Sequence, residues 1–279
     1  MVRKIEKLVT GFNTKDGAGV KLVRVLGNST IKDFDPFLML DSFDSQNPDD
    51  YIAGFPMHPH RGIETISYLS QGAMVHRDSL KNSESIGSGE LQWMTAGSGI
   101  MHEELLPASP RMLGVQLWLN MPRSAKMSPP AYHSIRESDI VKIPIEGGTL
   151  RVLCGTFGEH QAFKSSYVPF NYYAIDLKPG ASIELETEED YTTFVFTLKA
   201  GAKIAGRDIA EKTAAKLSRG RKLNLAALDD EAELLVMSAP PLGEPVAWGG
   251  PIVMNTEQEL RLAFAELQRG EFLKEALQY

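Results

Sequence analysis

The sequence is short of cysteine, of long apolar runs and of basic charge, and each shortage excludes a class of protein. Cys154 is the single cysteine among 279 residues, so we expect no intrachain disulfide and no cysteine-based metal site. No apolar run approaches the roughly 18 residues of a membrane span, and the first residues lack the apolar stretch of a signal peptide. The formal net charge of -7 argues against a nucleic-acid surface, which needs clustered Lys and Arg. We therefore expect a cytoplasmic protein that binds neither membranes nor nucleic acids.

Short segments rich in β-branched residues, with roughly alternating polarity, recur along the chain. Glycines punctuate the first set at short intervals from Gly72 to Gly114. Such turn signals between short strands favour a sandwich or barrel over βαβ units. A second set follows the predicted turn at Gly147-Gly148. The clearest candidate strands are 20–26, 64–69, 114–119, 149–154, 171–177, 191–198 and 232–237.

The two halves are similar in length and rhythm, which predicts an all-β fold of two barrels in tandem. We place the join in the segment from Pro122 to Pro130, so that the predicted domains are 1–130 and 131–279. The second domain is expected to end with one helix. Its start is marked by a capping box at Thr256 and Glu259, and Gly270 can end it. The apolar face between them is formed by Leu260, Ala263, Phe264 and Leu267.

Two short motifs carry candidate metal ligands. They are His58-Pro59-His60 and His102-Glu103-Glu104, and each places two good ligands at i and i+2, which share one face of a strand. Two such strands facing each other inside a barrel would bring the four side chains together, as three imidazoles and one carboxylate for a divalent transition metal. Glu64 would face inward too if the strand after His60 were unbroken. Gly62 could bend the strand there, and spacing alone favours Glu104 over Glu64 only narrowly.

The other histidines and the cysteine have simpler interpretations. His76 follows the first motif closely, and we consider both a role in supporting the metal ligands and a purely structural one. His133 and His160 are expected to be exposed, and Cys154 lies in an apolar strand as a buried, inert thiol. Because the second half contains no His-x-His motif, we expect no metal there.

Several motifs resemble the pirin family of the cupin superfamily. The matching stretches are 35–41 (DPFLMLD), 58–65 (HPHRGIET), 76–79 (HRDS), 91–102 (LQWMTAGSGIMH) and 251–256 (PIVMNT). They span nearly the whole chain. Two positions depart from the family pattern: Met57 stands where an acidic residue is frequent, and Glu103 where a small residue is common. By strand alternation Glu103 should point away from the metal.

The resemblance implies two cupin (jelly-roll) barrels, with one divalent transition metal, Fe(II) being favoured, in the N-terminal barrel and none in the C-terminal barrel. It implies the ligands His58, His60, His102 and Glu104, and thus favours Glu104 over Glu64. Some members of the family resemble quercetin 2,3-dioxygenases, which open a flavonol ring with molecular oxygen. We therefore expect a dioxygenase for a small phenolic substrate, in which Glu104 accepts the substrate's hydroxyl proton. The alternative is a metal-containing regulatory protein that binds a partner protein.

Overall fold

The computed structural model describes residues 1–275, and most of this chain is β-structure. Strands of the first half are β1 Ile5–Thr10, β2 Phe12–Asp16, β3 Val20–Leu26, β4 Phe37–Ser45, β5 Phe55–His60, β6 Ile63–Gln71, β7 Met74–Asp78, β8 Ser83–Ile86, β9 Leu91–Thr95, β10 Ile100–Leu105, β11 Met112–Asn120 and β12 Ala131–Ile135. Strands of the second half are β13 Val141–Ile145, β14 Gly148–Cys154, β15 Thr156–Phe157, β16 His160–Gln161, β17 Asn171–Leu177, β18 Ser182–Glu186, β19 Thr192–Lys199, β20 Ala202–Ile204, β21 Arg207–Ile209, β22 Thr213–Leu217, β23 Lys222–Ala227, β24 Ala232–Ala239, β25 Ala247–Gly249 and β26 Ile252–Met254. The predicted all-β fold is confirmed.

Helices are few in this part of the chain. They are the short α1 Ile31–Phe34, the longer α2 Glu257–Arg269, and 3-10 turns at Asn28–Thr30, Pro48–Asp50, Arg123–Ala125 and Glu137–Asp139. In α2 the predicted capping box is present, and Gly270 ends the helix with a positive φ of 73°, a conformation that costs glycine little. Within residues 1–275 no helix is both long and apolar enough to cross a membrane.

The compact unit that carries the histidine motifs, hereafter the first barrel, consists of Asn13–Asn28, Phe37–Arg136 and the described residues 242–275. It contains a seven-stranded sheet in the order β12-β9-β6-β11-β4-β3-β2 and a four-stranded sheet in the order β5-β10-β7-β8. The pairs from β12 to β3 in the larger sheet and all pairs of the smaller sheet are antiparallel. The sheets form a jelly-roll barrel, whose inner face carries the side chains discussed below.

The other compact unit, hereafter the second barrel, consists of Met1–Phe12, Ser29–Pro36 and Glu137–Pro241. Its main sheet has the order β1-β22-β19-β24-β17-β14-β13, and a four-stranded sheet has the order β18-β23-β20-β21. The core of this barrel is apolar and includes Tyr173, Ile175 and Val195, all buried. Cys154 is also fully buried.

The compact units are built from discontinuous segments, whereas the predicted domains divide the chain once, between residues 130 and 131. Strand β1 belongs to the second barrel because it pairs along β22, with Ile5 opposite Leu217. Helix α2 belongs to the first barrel, where its apolar face packs with β25 and β26 around Ala263 and Ile252. Sequence periodicity indicates that a strand or helix exists, but it does not indicate the sheet on which that element packs.

Candidate metal centre

Three histidine side chains converge on the inner face of the four-stranded sheet of the first barrel. His58 and His60 lie two residues apart on β5, and His102 on β10 is paired directly with His58. One nitrogen of each ring lies within 4.8 Å of the corresponding nitrogens of the other two rings. Among residues 1–275, these three form the cluster of His, Cys, Asp or Glu side chains that could hold a metal ion. The two strands are neighbours in one sheet rather than facing strands of opposite sheets, but strand alternation places the rings on one side as the spacing suggested.

The hydrogen bonds of the rings leave nitrogen lone pairs directed at one another. His58 Nδ1 lies 2.9 Å from the Pro56 carbonyl oxygen and His60 Nδ1 lies 2.9 Å from that of Pro251. Since a carbonyl only accepts, both Nδ1 atoms carry the proton, and the Nε2 atoms, 3.1 Å apart, are the unprotonated ones. His102 Nε2 is buried with no hydrogen-bond partner among the described residues. Three such nitrogens fit a divalent transition metal, which binds neutral imidazole.

Burial keeps the His60 and His102 rings neutral. Desolvation, and next the nearby His58, lower the pKa of His60 to about 3. Desolvation likewise lowers the pKa of His102 well below its ordinary value, and the neighbouring imidazoles add to the effect. Neutral imidazole is the form that binds a metal, so protons compete weakly for this site at neutral pH.

Glu104 lies on the same face of β10 as His102 and is buried. Its carboxylate oxygens do not belong to the group of donor atoms within 4.8 Å of one another. Instead they accept hydrogen bonds from two amides: Gln92 Nε2 donates to Oε1 at 2.6 Å, and Gln116 Nε2 lies 3.0 Å from Oε1 and 2.9 Å from Oε2. These two glutamines orient the carboxylate in the barrel interior.

Glu64 lies on the face of the seven-stranded sheet opposite to the face that carries Gln92 and Gln116. Gly62 has a φ of 78°, and a Cβ there would stand 2.0 Å from the Val253 carbonyl oxygen. The extended strand is therefore interrupted between β5 and β6, and the alternation of side chains restarts in β6. Glu64 Oε1 accepts bonds from Trp93 Nε1 at 2.9 Å and Thr95 Oγ1 at 2.7 Å. Gln92, whose side chain contacts Glu104 in the other sheet, and its pairing partner Ser67 have the other alternation phase from Glu64. Burial raises the pKa of Glu64, and the hydrogen bonds from Trp93 and Thr95 reduce this increase without cancelling it.

His76 supports the cluster from its far side. It is fully buried on β7, its Nδ1 lies 3.4 Å from His102 Nδ1, and its Nε2 lies 2.8 Å from Asp78 Oδ2. The Tyr132 ring stacks on it, with centroids 4.0 Å apart and planes 13° apart. Desolvation raises the pKa of Asp78, but bonds from His76 and from Asn82 outweigh it, so that the pKa lies below its ordinary value.

The remaining predicted residues lie away from the cluster. Glu103 pairs with Arg77 at 3.2 Å on the outer face of β10, and Met57 is exposed, so neither departure from the family pattern changes a ligand position. His133 and His160 are exposed. Sequence reasoning missed the polar partners Gln92, Gln116, Asp78 and Tyr132. Alternation within β9 and β11 was the available signal, but it does not tell which face of each strand looks toward the histidines.

Two of the three histidines, His58 and His60, line a cavity of about 490 Å³ in the first barrel. Gln116 also lines this cavity, and a charged end is formed by Arg24, which donates to Asp16 and Asp41. The walls are largely apolar and aromatic and comprise Met39, Phe55, Pro56, Trp118, Trp248 and Pro251. The Trp118 ring meets His60 edge-on at 4.9 Å. Cavities of this size with apolar walls and a few polar groups suit small-molecule ligands.

Fold and site together define a protein of two cupin barrels, with a histidine cluster and an aromatic cavity in one of them. The sequence matches the family model described as Pirin over residues 19–119 and that of the Pirin C-terminal cupin domain over residues 172–273. The chain therefore belongs to the pirin family.

Similar proteins come from distant organisms. A pirin-like protein of Caulobacter vibrioides is 39% identical, covering 97% of this chain and 99% of its own. Human pirin is 32% identical, covering 96% and 93%. Among solved structures, a quercetin 2,3-dioxygenase from Acinetobacter baumannii matches with a TM-score of 0.90 and 31% identity, covering 98% of this chain and 99% of that one.

Proposed function

We propose that the protein is a metal-dependent dioxygenase that opens a flavonol such as quercetin with molecular oxygen. The observation that carries the proposal is that two of the three clustered histidines, which could hold a metal ion, form part of the wall of an aromatic cavity. The likeness to a quercetin 2,3-dioxygenase over nearly the full length of both chains supports it. We further propose that the enzyme works in the cytoplasm.

The metal would be held by His58, His60, His102 and Glu104. The three imidazoles already lie together, and Glu104 lies on the same strand face as His102, two residues further. A site of neutral imidazoles with one carboxylate suits non-haem iron, and we propose Fe(II). When bound, the metal supplies a Lewis acid for the phenolic oxygen and a centre for oxygen chemistry.

The residues around the metal have separate tasks. Trp118 and Trp248, whose ring centroids lie 5.7 Å apart, present flat apolar surfaces on which an aromatic substrate can pack. Glu104 is the proton acceptor for the substrate hydroxyl. Gln92 and Gln116 direct its carboxylate by donating to it. Gln116 contacts both the Glu104 carboxylate and the substrate cavity, because its side chain also lines the cavity.

Quercetin turnover under oxygen tests the proposal. The protein reconstituted with Fe(II) should consume quercetin and oxygen in equal amounts, and His102→Ala should lose this activity because it loses a metal-bonding nitrogen. His133→Ala is the matched control, since His133 is exposed and outside the cluster. If the protein holds its metal but turns over neither quercetin nor other flavonols, the proposed dioxygenase activity is refuted. That result would favour the metal-containing regulator that binds a partner protein.

A further inference from the structure

The pair His76 and Asp78 is fully buried beside His102, yet the proposed ligand set does not use it. We propose that His76, held by Asp78, is a positioning residue that fixes the tautomer of His102 and so directs the His102 Nε2 lone pair at the metal. This inference rests on the metal centre of the proposed function. It adds two residues that would touch neither metal nor substrate.

The first step is that Asp78 acts only as an acceptor. Its Oδ1 accepts from the backbone N–H groups of Leu80 at 2.9 Å and Asn82 at 3.1 Å. Its Oδ2 accepts from Asn82 Nδ2 at 2.8 Å and lies 2.8 Å from His76 Nε2. A group that faces three other donors is a carboxylate, and a carboxylate has no proton to give. The proton of this bond therefore belongs to His76 Nε2.

The second step concerns the two Nδ1 atoms, which lie 3.4 Å apart. If His102 donates, both rings are neutral and His102 Nε2 carries a lone pair. If His76 donates instead, it becomes a buried cation, and His102 Nε2 carries a hydrogen for which the described residues offer no acceptor. Both a buried charge and an orphaned buried donor are costly. The chain of donation therefore runs from His102 to His76 to Asp78.

The surroundings hold His76 in this orientation. Tyr132 stacks on its ring, and the Tyr132 hydroxyl donates to Gln92 Oε1 at 3.2 Å. Gln92 in turn donates to Glu104 at 2.6 Å. The same tyrosine is thus in contact with the supports of both His102 and Glu104. A ligand oriented by an outer hydrogen bond in this way binds metal more tightly, and losing such a bond typically costs 10–100-fold in affinity.

Asp78→Asn is the discriminating variant, because it changes no volume. The amide oxygen can keep the bonds from the fixed backbone N–H groups of Leu80 and Asn82. The Asn82 side chain can turn its amide oxygen toward the new N–H₂, which then stands at the former Oδ2 and against His76 Nε2. His76 must then accept at Nε2 and carry its proton on Nδ1, so that His102 receives at Nδ1 and is protonated on Nε2. We expect Co²⁺ affinity, measured by competition with a chromophoric chelator, to fall by about 10–100-fold.

The ¹⁵N shifts of the histidine ring nitrogens give a second readout that needs no metal. In the metal-free wild type His102 should be protonated on Nδ1, and in Asp78→Asn on Nε2. His76→Phe is a second variant: it keeps a ring on Tyr132 but removes both nitrogens, and it should also weaken Co²⁺ binding. His133→Phe should bind Co²⁺ as the wild type does, since His133 is exposed.

Two results would overturn the inference. One is wild-type Co²⁺ affinity in folded Asp78→Asn or His76→Phe, with folding checked by thermal unfolding of the metal-free proteins. The other is a His102 tautomer that is the same in Asp78→Asn and the wild type. A wild type that shows the predicted tautomers but binds no Co²⁺ would overturn the metal centre of the proposed function instead, and the assigned role with it.

Discussion

Exchanging each candidate carboxylate for its amide separates Glu104 from Glu64. In Glu104→Gln the new amide N–H₂ must face an amide donor, because Gln116 Nε2 lies 3.0 and 2.9 Å from the two carboxylate oxygens. Turning the Gln116 amide to relieve this contact withdraws Oε1 from Trp118 Nε1, which donates to it at 3.3 Å. We expect the metal-free protein to lose about 1.5–3 kcal/mol of unfolding free energy, the range for a hydrogen bond to a charged group.

The effect of Glu104→Gln on metal binding should be larger. A directly bonded anionic ligand is lost, so the affinity should fall by more than the roughly 10–100-fold that an outer hydrogen bond is worth. In Glu64→Gln the amide oxygen can still accept from Trp93 and Thr95, and the new N–H₂ replaces an oxygen without a partner in the described chain. Since Glu64 lies on the other face of the sheet, its amide should leave metal affinity unchanged.

The assay is chelator competition with Co²⁺ on both variants and the wild type, with unfolding by urea as a check on stability. The reasoning predicts a large loss for Glu104→Gln and none for Glu64→Gln. If Glu64→Gln is the more damaging of the two, the carboxylate ligand has been assigned to the wrong strand.

Three further predictions concern the cluster, the cavity and pH. His58→Ala should remove most of the metal found by elemental analysis of the purified protein, and full occupancy would contradict its assignment as a ligand. Trp118→Ala should raise KM for quercetin several-fold by removing an aromatic wall, and an unchanged KM would place the substrate elsewhere. Burial raises the pKa of Glu64 above 4.5, so its stabilising contribution is complete below that value and is lost as pH rises through the folded pKa. The wild type should therefore lose stability relative to Glu64→Gln as pH rises from about 4.5, and a pH-independent difference in urea unfolding would argue against this.

Local sequence patterns predicted much of the fold and the strand faces on which the clustered histidines lie. Alternation predicted that His58 and His60 share one face of their strand and that His102 shares a face with Glu104, and the strands β5 and β10 have this arrangement. The capping box at Thr256 predicted the start of α2. These features depend on a few neighbouring residues, which is why the sequence reveals them.

Features that depend on distant pairing were beyond the sequence. Periodicity does not show that β5 and β10 are neighbours, nor that Gly62 restarts the alternation before Glu64. The partners Gln92 and Gln116 reach Glu104 from β9 and β11, whose order in the sheet is set by long-range contacts. The same reason explains why β1 and α2 lie in units other than those that their chain positions suggested.

Anomalous diffraction from crystals of protein purified without added metal tests the central claim most directly. We predict one metal peak per chain, bonded to the three clustered histidines and to Glu104, and no peak within residues 137–241 of the second barrel. A peak in the second barrel, or full metal content with no peak between His58, His60 and His102, would contradict the account.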